Sequence, residues 1–187
     1  MSKNGFETYT PESAPAGTRE LLSNTASAFG FLPNLLGGMA VAPALVEGYL
    51  TLAGIFEQTS LSAAERQIVL LAVSRFNGCD YCMSAHTAIA AMQGVNASVT
   101  DALRNDHAIA DPRLEALRKF ATKLVDQRGW IDATTLEDFL DAGYTRQHVG
   151  EVLLGVGLKT LSNYFNHIAG TELDEPFAAV AWSAPEQ

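Results

Sequence analysis

The 187 residues suffice for one domain with a sizeable core, since 48% are hydrophobic and only 18% charged. A net charge of −9 opposes an electrostatic grip on nucleic acid or anionic membrane, and no local basic cluster offsets it. The opening Met1-Ser2-Lys3-Asn4-Gly5-Phe6-Glu7 has no apolar run behind a positive end, and stretches such as 68–73 are too short to span a bilayer. The expectation is a cytoplasmic protein with neither a secretory leader nor a membrane segment.

In chain order, residues 1–16 are polar with Pro11 and Pro15 and predict a flexible lead-in. A helix over 18–29 follows, stopped by Gly30 and Pro33, and Gly37-Gly38 reads as a further break. Pro43 opens a long helix reaching about Gln58, with Leu45, Tyr49, Leu52 and Phe56 at helical spacing. Ser62 with Glu65 three residues on is a capping box for a helix to about Phe76, broken by Asn77-Gly78. Further helices are predicted from near Cys79 to about Gln93, over 97–105, from Asp111-Pro112 through Leu124, and over 132–141. The last, from Thr145 to about Ile168, is apolar on several faces, which suits deep burial or a subunit contact. The class read from this is all-α, a bundle of about seven helices over 17–170, with 171–187 as an arm folded across the surface or onto a neighbour.

The two cysteines, Cys79 and Cys82, are three residues apart. A bridge between them would staple almost no chain, so in a reducing compartment the pair reads as redox or metal chemistry. At about 100° per residue, Cys82 lies about 60° and His86 about 20° from Cys79 around the helix, so all three share a face. The helix start favours a thiolate at Cys79, two such thiols can exchange electrons through a disulfide, and His86 can accept a proton from Cys82 directly or through water. Two other readings stand beside this one. Small buried thiols with a core histidine are common, and zinc would find three ligands but no fourth, since His107, His148 and His167 are scattered. No cofactor or metal is called for.

The stretch from Leu61 to His86, with Cys79-Asp80-Tyr81-Cys82-Met83-Ser84-Ala85-His86 at its end, resembles the core of the AhpD-like alkylhydroperoxidases of the carboxymuconolactone decarboxylase superfamily. Gly30-Phe31-Leu32-Pro33-Asn34-Leu35 and Asn163-Tyr164-Phe165-Asn166-His167-Ile168-Ala169-Gly170-Thr171 resemble its uncharacterised peroxidase-related branch. The resemblance implies an all-helical homo-oligomer (dimer, trimer or hexamer) that reduces hydroperoxides with the cysteine pair and is regenerated by an external dithiol. It implies Cys82 as the peroxide-reacting thiol, Cys79 as its disulfide partner and His86 in the proton relay. The dipole argument instead makes Cys79 the more acidic thiol, and the sequence leaves the nucleophile open.

Two departures from the family pattern stand out. Gln67 occupies the place of a family Glu, so a Glu-to-His relay cannot run through it, although Gln67 can orient His86 by hydrogen bonding. Glu65, roughly 160° away around the same helix, is a poor substitute and reads as the capping residue. Tyr81 stands where the best-known peroxidases carry a His, and reads as core or interface. Asn163, Asn166 and His167 form a polar patch read as a hydrogen-bond network at a subunit contact, and Met39, Met83 and Met92 read as packing. The expected function is a thiol-dependent oxidoreductase acting on a hydroperoxide or disulfide through Cys79, Cys82, His86 and Gln67. The alternatives are a non-enzymatic redox sensor or oligomeric binding protein of the same fold, and a lactone decarboxylase-like enzyme.

Overall fold

The computed structural model describes residues 4–185. Among them run α1 (Arg19–Phe29), α2 (Asn34–Met39), α3 (Pro43–Glu57), α4 (Ala63–Phe76), α5 (Asp80–Met92), α6 (Ala97–Arg104), α7 (Pro112–Asp126), α8 (Ala133–Asp141) and α9 (Arg146–Ala169), then a 3-10 helix, Glu175–Val180. The all-α class is as expected. The helix that patterning misses is α2, because Gly37-Gly38 lies inside it rather than ending it. A Cβ at Gly37 would sit 2.7 Å from the Tyr9 carbonyl oxygen, so the glycine permits a close approach of the N-terminal segment rather than a break.

The bundle is organised around α4, buried on every face from Gln67 to Ser74. Its start is the expected capping box: the Glu65 amide donates to Ser62 Oγ at 3.3 Å and the Ser62 amide to Glu65 Oε2 at 2.8 Å. Glu65 also accepts from the Tyr144 hydroxyl at 3.0 Å and pairs with Arg113, which ties α4 to α7 and to the turn before α9. The 24-residue α9 crosses α3 and α4 at Gly155, where a Cβ would stand 2.7 Å from Val69 Cγ1 and 2.9 Å from the Phe56 ring. That crossing brings the second half of α9 alongside α5.

The lead-in and the arm both fold back on the chain. The Tyr9 amide donates to the Gly37 carbonyl at 3.1 Å, and Ala14 is buried. The arm lies over α5: Arg104 donates to the Val180 and Ala181 carbonyls at 3.0 and 2.9 Å, the Trp182 amide to Ser84 Oγ at 3.0 Å, and the Ala184 amide to Asp80 Oδ1 at 2.9 Å. Tyr81 is buried and its hydroxyl donates to Asp174, with Phe177 edge-on at 6.4 Å. Met39 and Met83 are packed, but Met92 is 82% exposed and is not a packing residue. No helix is long and apolar enough to cross a membrane among the described residues.

Candidate active site

The turn between α4 and α5 fixes the first cysteine. Gly78 takes φ +63°, its amide donates to the Arg75 carbonyl and the Cys79 amide to the Ser74 carbonyl, which together close a Schellman motif on α4. Cys79 is at the same time the N-cap of α5, and its carbonyl accepts from the Met83 amide. Helical spacing then sets Cys82 one turn on and His86 one turn further. Both thiols are free and 1% exposed.

From α9, Asn166 Nδ2 reaches Cys82 Sγ at 3.2 Å and Cys79 Sγ at 3.8 Å, and Ser162 Oγ lies 3.8 Å from Cys82 Sγ. Asn166 is therefore at the thiols and Asn163 at the α4 terminus, accepting from Asn77 Nδ2 at 2.8 Å. The expected subunit-contact network among Asn163, Asn166 and His167 is thus an intrachain one for the two asparagines. His167, about 100° further round the helix, is exposed.

His86 makes no hydrogen bond to either sulfur among the described residues. Its Nδ1 lies 3.0 Å from Gln67 Oε1 and its Nε2 3.1 Å from Lys159 Nζ. An ammonium can only donate, so Nε2 accepts and the ring is the Nδ1–H tautomer, donating to Gln67. Gln67 Nε2 donates onward to Gln93 Oε1 at 3.1 Å. Sequence reading placed Gln67 beside His86 and missed Lys159, which is wholly buried. A signal was present: Lys159, Ser162, Asn163 and Asn166 recur at helical spacing on one stripe of an otherwise apolar helix.

Charge divides the two sulfurs. The Cys79 thiol is pushed far above the ordinary thiol range because it donates to Cys82, is buried and faces the Cys82 charge. Burial alone would push Cys82 up too. The Cys79 thiol, the Lys159 ammonium and the Ser162 hydroxyl outweigh it and hold Cys82 well below that range. The helix-dipole expectation of a more acidic Cys79 is reversed, because donors converge on Cys82 while Cys79 serves as one of them. His86 is held well below the usual imidazole range, first by burial and then by the Lys159 charge. The Tyr49 phenol beside them is raised, chiefly by burial.

Cys79 forms part of the wall of a groove of about 540 Å³ between the α5 start, the α9 end and the arm, with Asp80, His167, Glu172 and Trp182 among its lining. No group of three or more His, Cys, Asp or Glu that could hold a metal gathers among the described residues.

Residues 43–123 match the carboxymuconolactone decarboxylase family model. No curated protein matches the chain in sequence. Among solved structures, the chain is similar to an AhpD-core, uncharacterised peroxidase-related protein from Ralstonia eutropha JMP134, with TM-score 0.83 and 22% identity over 92% of this chain and 93% of that one. A peroxidase-related protein from Silicibacter sp. TM1040 gives 0.80 and 18% over 94% and 93%. A cysteine-to-alanine variant of the debrominase Bmp8 in complex with 2,3,4-tribromopyrrole gives 0.79 and 17% over 96% and 97%. The chain thus carries the carboxymuconolactone decarboxylase family match over residues 43–123, and its helices share the fold of the AhpD-core structure.

Proposed function

We propose that this protein is a thiol-dependent oxidoreductase that reduces hydroperoxides, or disulfides, through Cys82 and Cys79. The observation that carries this reading is the convergence of donors on one buried sulfur: Asn166 Nδ2 at 3.2 Å, the Cys79 thiol and Ser162. Lactone decarboxylation needs no thiol pair, so this arrangement supports redox chemistry over that alternative.

In the reaction, Cys82 Sγ attacks the outer peroxide oxygen. An S–O bond forms, the O–O bond breaks, and the alkoxide leaves with a proton from the site to give the alcohol. Cys79 then attacks the Cys82 sulfenic sulfur, forming the disulfide and releasing water. An external dithiol reopens the bridge by exchange, and the groove at Cys79 supports its approach from that side. Gln67 and Lys159 fix the His86 ring, so Gln67 is a positioning residue and not a base.

The location we propose is the reducing cytoplasm, where free paired thiols persist. A homo-oligomer is supported by the exposed Leu153, Leu161, Tyr164 and Ile168 on the outer side of α9; light scattering tests it. The functional test is steady-state reduction of an alkyl hydroperoxide with dithiothreitol as donor, run on the wild type, Cys79→Ser and Cys82→Ser. Turnover in the wild type and its loss in both variants is expected. A wild type whose thiols oxidise once without cycling would instead identify a redox sensor. 2,3,4-Tribromopyrrole, the ligand of the debrominase neighbour, tests whether the dithiol also accepts a carbon–bromine bond.

A further inference from the structure

We propose that Lys159 is the counter-ion and proton carrier of Cys82, with His86 as the residue that holds it in place; this rests on the oxidoreductase reading above. Lys159 is 0% exposed, and a buried ammonium needs an anion or it gives up its proton. No carboxylate pairs with it among the described residues. The titratable groups facing it are Cys79, Cys82 and His86 from α5 and Tyr49 from α3, while α4 contributes only the uncharged Gln67, through His86.

Of these, His86 offers a lone pair at 3.1 Å, which fixes the ammonium in direction without neutralising it. Tyr49 is a far weaker acid than a thiol, and Cys79 is occupied in donating to Cys82. Cys82 is left as the partner that balances the charge: Ser162, one turn on from Lys159 along α9, stands 3.8 Å from Cys82 Sγ, and the Lys159 charge helps to hold that thiol low. The site therefore forms an ammonium relay: neutral Gln67, neutral His86, cationic Lys159, anionic Cys82.

The proton balance follows. During peroxide reduction the departing alkoxide takes a proton from the Lys159 ammonium and leaves the amine. During regeneration the external dithiol supplies two electrons and two protons. One proton goes to the Cys79 sulfur, the other to the Lys159 amine, and Cys82 returns as thiolate. The thiolate–ammonium pair stabilises the reduced state, so the disulfide is more oxidising than it would be without Lys159.

The test needs no hydroperoxide. Thiolate ultraviolet absorbance is titrated against pH, and the disulfide is equilibrated with a dithiothreitol redox buffer, for the wild type, Lys159→Met, Lys159→Gln, Lys159→Arg and His86→Gln. In the Met and Gln variants the thiolate midpoint should rise by more than one pH unit. Their disulfides should become at least tenfold harder to reduce, about 30 mV. Arg, which keeps the charge, should restore both readings toward wild type, and His86→Gln should keep the low midpoint. A neutral variant that folds, by circular dichroism, yet titrates and equilibrates like the wild type overturns the proposal, as does loss of the low midpoint in His86→Gln with its retention in Lys159→Met. Absent hydroperoxide turnover with both Lys159 effects intact would sink the peroxidase reading alone.

Discussion

The two ends of α4 and α9 sit in differently built interiors. Around the first turn of α4, the core is apolar and closed: Phe120 stacks on Phe139 at 4.1 Å, Phe139 on Tyr144 at 4.5 Å, and the buried carboxylate of Glu65 is fully partnered. Around the last turns of α9, the interior holds two thiols, a lysine and two asparagines, and Asn166 Oδ1 is buried without a partner among the described residues. Each unpaired or charged group there costs stability that the aromatic end supplies. The same two helices thus carry a region built to hold together and a region held away from its own lowest energy, as a reactive site is.

Four changes would break or sharpen this contrast. The largest effect is expected for Cys82→Ser, which should lower dithiol-dependent hydroperoxide turnover about a thousandfold or more while leaving the aromatic end of the core intact. Phe139→Ala should do the opposite. It should cost about 3–5 kcal/mol of unfolding free energy, read by urea denaturation at a temperature where the variant is folded, with the Cys82 titration unmoved.

Next comes a pH effect. The His86 ring stays neutral in the fold while the unfolded chain takes up a proton below about pH 6.5. The unfolded state then binds more protons, so stability falls as pH falls. Below that pH the wild type should lose stability relative to His86→Gln by up to about 1.4 kcal/mol per pH unit; parallel curves for the two proteins would contradict it. The smallest change is Ser62→Ala, which removes the α4 cap and should cost about 1 kcal/mol without altering turnover.

What the sequence made legible is what is local. Cys79, Cys82 and His86 share a face because helix geometry relates residues a few positions apart, and Ser62 with Glu65 announces a cap for the same reason. The contact of Gln67 with His86 was also within reach once a family pattern aligned the two helices. Lys159 was not. It lies 73 residues from His86, and a lysine in sequence reads as a solvated charge because lysines are almost never fully buried. The acidity of the thiols stayed open in the sequence for a related reason. A helix terminus contributes a partial charge, whereas a buried ammonium acts with its full charge beside converging donors, and only the tertiary packing of α9 on α5 decides which sulfur they favour. α2 was hidden because Gly37 marks a close approach to Tyr9, a long-range fact expressed in a residue that locally signals a break.

The most direct test of the account is a site-resolved titration of the reduced wild type, labelled with carbon-13 at both cysteine Cβ atoms and followed by NMR. The expected result is that Cys82 is already thiolate at neutral pH and changes only well on the acid side of the ordinary thiol range, while Cys79 stays protonated far into alkali. Cys79 ionising first, or the two sulfurs ionising together at an ordinary thiol midpoint, would contradict it.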